Sequence, residues 1–242
     1  VFAAALPASA GQVQPNVAGG QPAPDGAYPY AAKLTFTGIP KPDGMTYDSA
    51  CSGALIRPQW ILTAGHCFHD ANRIRISGPP IYATSTATVG RTELTQTRGH
   101  VVTIIDVKQS ATNDIALAKL ATPVTDVATI GIRTSTPSVG AVLRIAGWGA
   151  TSSSGQPVNH LQTGQFKITS VTATTVLVAG YLPAGNTSAC PYDSGAPYFY
   201  EGPAGPTVVG VESTGPDCPH VGNETTARVD AVASWIVSQV GV

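Results

Sequence analysis

Short runs of β-branched and apolar residues, each bounded by glycine, proline or another turn former, recur along most of the chain. They fall at 31–37, 52–56, 60–63, 86–89, 101–107 and 115–120, then at 142–147, 161–169, 174–178, 198–200 and 207–213. Strands this short and this regularly interrupted point to an all-β barrel or sandwich. The 26 glycines and 20 prolines among 242 residues, with only 11% charged residues, leave little material for long salt-laced helices. One helix is expected, at the end, where Val232, Trp235, Ile236 and Val240 follow helical spacing and Asp230 stands ready as its N-cap. The segment 121–140, with Pro123 and Pro137, is the linker candidate between two halves of similar size, and no repeat spans it.

A formal net charge of -1 and the lack of any run of Lys or Arg remove the electrostatic basis for binding nucleic acid or an anionic membrane. At 43% hydrophobic residues the chain can bury a core, yet no stretch reaches the 18 or so apolar residues of a membrane span. Residues 1–10 (VFAAALPASA) are uncharged and end small-x-small, which reads as the remnant of a signal peptide. Residues 11–28 read as a leader or processing segment followed by surface loop, with the folded body starting near Tyr28. Cys51, Cys67, Cys190 and Cys218 fit an exported protein with two disulfides. Three pairings are open; Cys51 with Cys67 and Cys190 with Cys218 would close short loops, each worth about 3 kcal/mol. Zinc would need closer ligand pairs than these spacings supply, so no metal is expected.

Three motifs carry candidate chemistry. Leu62-Thr63-Ala64-Gly65-His66-Cys67 sets a histidine just after a strand, and Asn113-Asp114-Ile115-Ala116-Leu117 sets an aspartate at the mouth of another. Cys190-Pro191-Tyr192-Asp193-Ser194-Gly195-Ala196-Pro197 exposes a serine on a cysteine-anchored turn. Each alone has a structural explanation. Together they supply a hydroxyl, a base to take its proton and a carboxylate to hold the resulting imidazolium.

With the order His, Asp, Ser, the chain resembles the trypsin/chymotrypsin family of serine proteases from about Val17 onward, and in length and disulfide economy its secreted bacterial members. Further matches are Val17-Ala18-Gly19-Gly20, Cys51-Ser52-Gly53-Ala54-Leu55, Gly147-Trp148-Gly149 and Ala227-Arg228-Val229. The resemblance implies two packed antiparallel six-stranded β-barrels with a C-terminal α-helix, the first over 17–130 and the second over 131–242. His66 and Asp114 would come from the first barrel and Ser194 from the second, with Ser213 bonded to the aspartate and the backbone N–H groups of Tyr192 and Ser194 forming the oxyanion hole. Asp193 would receive the amino group of Val17 once residues 11–16, a propeptide, are cut away, making this chain a zymogen. Because the cut would follow Asn16, an enzyme preferring Lys or Arg could not readily activate itself.

Departures from the family pattern bear on activity. Tyr192 and Ala196 replace glycines, and Tyr192 puts a ring beside the oxyanion hole. The specificity pocket, expected from Ser188, Glu212, Ser213, Thr214, Gly215 and Glu224, is unusual in its two glutamates, which would favour a basic or mixed preference unless they turn to solvent. The sequons Asn186-Thr187-Ser188 and Asn223-Glu224-Thr225 flank that pocket and read as chance matches. The sequence thus suggests a secreted, extracellular, monomeric serine endopeptidase without cofactor, acting on polypeptides and open to protein protease inhibitors. The alternative is a silent homologue kept as a binding module.

Overall fold

The computed structural model describes residues 17–241; the expected signal remnant at 1–10 and propeptide at 11–16 lie outside the described residues. After the two-residue strand β1 (Gln21–Pro22), six strands form the first unit: β2 (Ala31–Pro40), β3 (Thr46–Arg57), β4 (Trp60–Thr63), β5 (Thr84–Val89), β6 (His100–Gln109) and β7 (Ala116–Leu120). Antiparallel pairing in the order β2-β3-β4-β7-β6-β5 closes them into a barrel. Closure removes the sheet edges, which suits a sequence of short strands with no covering helices.

The second unit follows with β8 (Gly131–Ile132), β9 (Val142–Gly147), β10 (Gln162–Val171), β11 (Thr175–Leu182), β12 (Pro197–Gly202), β13 (Gly205–Thr214) and β14 (Asn223–Arg228). Here β9, β10, β11, β14, β13 and β12 form the second six-stranded barrel, closed by the pairing of β12 with β9. β1 and β8 attach at its margin. The chain is therefore two closed antiparallel barrels plus the terminal helix α1 (Ala233–Val240).

Besides the two-residue strands β1 and β8, β14 is the strand that periodicity did not reveal. Its sequence, NETTAR, is polar, yet Glu224, Thr226 and Ala227 are buried. The Asp230 cap is also corrected: α1 has no side-chain cap, a 3-10 turn over Asp230–Val232 precedes it, and both Asp230 carboxylate oxygens accept from Arg228, at 2.7 and 2.6 Å. A guanidinium two residues away offers a charged, two-pronged partner, which outcompetes a backbone N–H.

The barrels share apolar surface. One continuous cluster runs from Leu34, Phe36 and Leu62 in the first through Trp148, Phe199 and Val208 of the second to Ile236 on the helix. A separate cluster fills the second barrel with Leu143, Phe166, Val178 and Tyr198, and Val17 is buried in it. The disulfides Cys51–Cys67 and Cys190–Cys218 tie the two active-looking turns to their barrels.

Candidate active site

His66 sits in a 3-10 turn over Gly65–Cys67 directly after β4, and Asp114 in the turn between β6 and β7, strands that pair with each other or with β4. Sheet pairing thus brings together residues separated by 48 positions. His66 Nδ1 lies 2.7 Å from Asp114 Oδ2, and the His66 backbone N–H donates to Asp114 Oδ1 at 2.8 Å. The Ser213 hydroxyl, from the second barrel, donates to Oδ2 at 2.7 Å. Gly65 is required by close approach: a Cβ there would stand 2.6 Å from Gln109 Oε1 and 3.0 Å from Asp114 Oδ1. Burial by itself would raise the Asp114 pKa, but the hydrogen bonds and charge of His66 and the Ser213 hydroxyl hold it below the usual carboxylate value. The carboxylate is therefore ionised at neutral pH and fixes the imidazole with a proton on Nδ1.

Ser194 stands on the turn between Cys190 and Ala196, and the two barrels meet there. Ser52 on β3 donates its N–H to Ser194 O at 2.8 Å and its hydroxyl to Tyr192 O at 3.1 Å. His66 and Ser194 line one cavity of about 300 Å³, together with Phe36, Ile39, Tyr47 and Tyr192. Two residues that the sequence did not single out support this arrangement. Ser52 is one; the other is Arg75, whose Nη1 donates to Asn113 O at 2.7 Å and lies 3.8 Å from Asp114 Oδ1. Ser52 lay inside the quoted Cys51–Leu55 match with no role assigned to it, and Arg75 left no signal in the sequence.

Tyr192 adopts φ 76, the left-handed region, which costs a side-chain-bearing residue about 1–2 kcal/mol. Tyr192→Gly removes that cost but gives the unfolded chain about 0.4–1 kcal/mol more entropy and loses the ring's contacts. The expected outcome is a change in urea-unfolding free energy of under about 1 kcal/mol; a loss well beyond that would show that ring packing outweighs the backbone.

A second cavity, about 190 Å³, opens beside Ser194 and is lined by Ala189, Glu212, Ser213, Thr214, Gly215 and Glu224, among others. Five of the expected pocket residues are in it. The sixth, Ser188, is not among its lining residues: it is fully buried, its hydroxyl bonded to Asn186 O and to His220 N–H. Neither glutamate turns to solvent, since Glu212 is 4% and Glu224 1% exposed. Glu224 Oε1 accepts from Ala189 N–H at 2.8 Å and lies 2.9 Å from His220 Nε2, while its Oε2 occupies the space that a Cβ on Gly215 would need and has no hydrogen-bond partner among the described residues. Burial pushes the Glu224 pKa up to about 8, against the pull of the Ala189 N–H. Burial and the neighbouring carboxyls of Glu224 and Asp193 push Glu212 well above the usual range, so it holds its proton at neutral pH.

No group of His, Cys, Asp and Glu suited to holding a metal ion occurs among the described residues. A sequence model described as Trypsin matches residues 17–236. The chain belongs to the trypsin family. Trypsin-2 of Salmo salar is 29% identical over 204 residues, covering 78% of this chain and 84% of that protein. Serine protease 56 of Mus musculus is 28% identical over 252 residues, covering 93% of this chain but 39% of its own length, so the trypsin-family region spans well under half of that relative. The solved structure titled "Atomic resolution structure of HBP" superposes with a TM-score of 0.71 at 20% identity, over 91% of this chain and 95% of the other. That likeness establishes the fold, and the sequence match establishes the family, one of serine proteases that act on polypeptides.

Proposed function

We propose that this trypsin-family chain is a secreted serine endopeptidase that works through Ser194, His66 and Asp114. The observation that carries the proposal is that Asp114, which accepts from Ser213, holds His66 at 2.7 Å, and that His66 and Ser194 line the same cavity. His66 Nε2 takes the proton of the Ser194 hydroxyl as the oxygen attacks a peptide carbonyl, then returns it to the leaving amine as the C–N bond breaks. Water repeats the sequence to cleave the acyl-enzyme. The N–H groups of Tyr192 and Ser194 are assigned to the oxyanion. Cleavage before Val17 would free an amino group for buried Asp193, so the chain is proposed to be made as a zymogen, in keeping with the burial of Val17 in the same cluster as Ala189 and Ala196.

A serine-directed fluorophosphonate applied to the protein beginning at Val17 is expected to form an adduct on Ser194 that Ser194→Ala abolishes. A folded wild type that neither labels nor cleaves peptides would favour the silent homologue, the reading that Tyr192 in the oxyanion turn supports.

Glu224, buried and able to ionise, supports a preference for a basic side chain in the pocket. With a pKa of about 8, Glu224 is largely neutral at pH 6 and largely charged at pH 9. The kcat/KM ratio of an Arg substrate over its uncharged Gln counterpart is therefore expected to rise by about tenfold or more across that interval, equivalent to about 1.4 kcal/mol. A flat ratio, or a dominant preference for Phe or Leu, would defeat the basic assignment.

A further inference from the structure

Lys33 is the single charge in the apolar run Ala31-Ala32-Lys33-Leu34 on β2, and it is only 4% exposed. A buried ammonium is costly unless a counter-charge meets it. Its Nζ donates to Trp148 O at 3.3 Å and stands 5.6 Å from the centre of the Tyr192 ring. The N–H of the same peptide group, that of Gly149, donates to Asp193 Oδ1 at 2.8 Å. One peptide thus joins ammonium to carboxylate, its oxygen toward the cation and its N–H toward the anion, polarised in the sense both charges favour.

Asp193 is fully buried, and its other oxygen accepts from Cys190 N–H at 3.1 Å. Val17 contributes no ammonium while residues 1–16 are attached, yet the Asp193 carboxylate is seated and the turn is formed. Among the described residues, Lys33 is the cation that acts on it. Burial lowers Lys33 to about 8 and raises Asp193 to about 6, each charge pulling the other back, so both are ionised between those values. Ser52, in register opposite Lys33, holds Tyr192 O and Ser194 O. The first barrel therefore grips the turn with an adjacent pair.

We propose that Lys33 is a positioning residue for the Tyr192–Ser194 turn, supplying from within the chain the positive charge that Asp193 needs, so that the turn and part of the activity persist with residues 1–16 attached. The activity half of this rests on the protease function proposed above; the charge pairing does not.

The test uses wild type, Lys33→Met, Asp193→Asn and the double variant, each beginning at residue 1 and shown intact by mass spectrometry. In urea unfolding the double variant is expected to lose less midpoint than the two single losses combined; strict additivity overturns the pairing. Should K33M or D193N prove unfolded in the full chain, the wild type itself is titrated: the Lys33 Nζ resonance is expected to move as Asp193 takes up a proton near pH 6, and a resonance that stays still through that interval overturns the pairing. For activity, K33M is expected to slow fluorophosphonate labelling of Ser194 by about tenfold or more in the full chain, by less than about threefold in the chain beginning at Val17, and K33R to recover part of the loss. Equal losses in both forms, or none, overturn the positioning role. No labelling or cleavage by any wild-type form, with coupling still present, would instead defeat the protease reading and the retained activity while leaving the pair standing.

Discussion

Ser194→Ala and His66→Ala are each expected to lower kcat on a peptide substrate by about 10⁶-fold, and the double variant by no more than either alone. The non-additivity follows from the division of labour. The serine oxygen is a useful nucleophile only when His66 removes its proton, and the imidazole has no proton to take once the hydroxyl is gone. What survives is the about 10³–10⁴-fold advantage over water that binding and the oxyanion N–H groups provide. Stability should hardly follow: His66 is partly exposed, with 42% of its side-chain surface open, and its backbone N–H contact to Asp114 persists in the alanine variant. Steady-state kinetics on the activated chain, with urea unfolding as a control, would check both halves. Independent losses that multiply in the double variant would mean that the two side chains do not act as a unit.

The sequence disclosed the barrel architecture because closed antiparallel sheets of short strands leave a strong periodic trace. The run at 142–147 coincides with β9 and most others fall within a few residues of an observed strand. β14 escaped because its inward residues include Glu224 and Thr226, polar groups whose burial is supported by hydrogen bonds in place of hydrophobicity. Asp230 misled because capping preference takes no account of a competing partner, and Arg228, two residues back, supplies one. At the site, resemblance named the residues, but their environment came only with coordinates. Ser188 behind His220, Glu224 folded over Gly215 and the peptide linking Lys33 to Asp193 all depend on side-chain direction across barrels, which no linear spacing encodes. Lys33 did leave a trace, a lone charge inside an apolar strand, but such a lysine has meaning only once its partner is known.

Asp114→Asn is expected to cost about 10⁴ in kcat while leaving KM and the fold nearly unchanged, the size of effect that this change has in triads of this type. Asp114 only accepts: from His66 Nδ1, from the His66 backbone and from Ser213. An asparagine placed in the same pocket keeps one accepting oxygen and turns an NH₂ group into the remaining position. The Ser213 hydroxyl can rotate to suit either atom, but the His66 backbone N–H cannot, so it retains the oxygen and the NH₂ faces Nδ1. Nδ1 must then be the unprotonated nitrogen, which places the ring proton on Nε2, the atom that has to receive the serine proton. The same argument fixes the acid limb of stability. Because the Asp114 pKa is lowered on folding, the carboxylate stabilises the native state above its unfolded pKa and that contribution disappears as pH falls through the lower folded value. The asparagine variant should lose this part of the acid dependence, so wild-type and variant melting curves should separate above the ordinary carboxylate range and converge as pH falls through the lowered folded value. A variant with unimpaired kcat would show that His66 is oriented by some other group, and the assignment of Asp114 would fall.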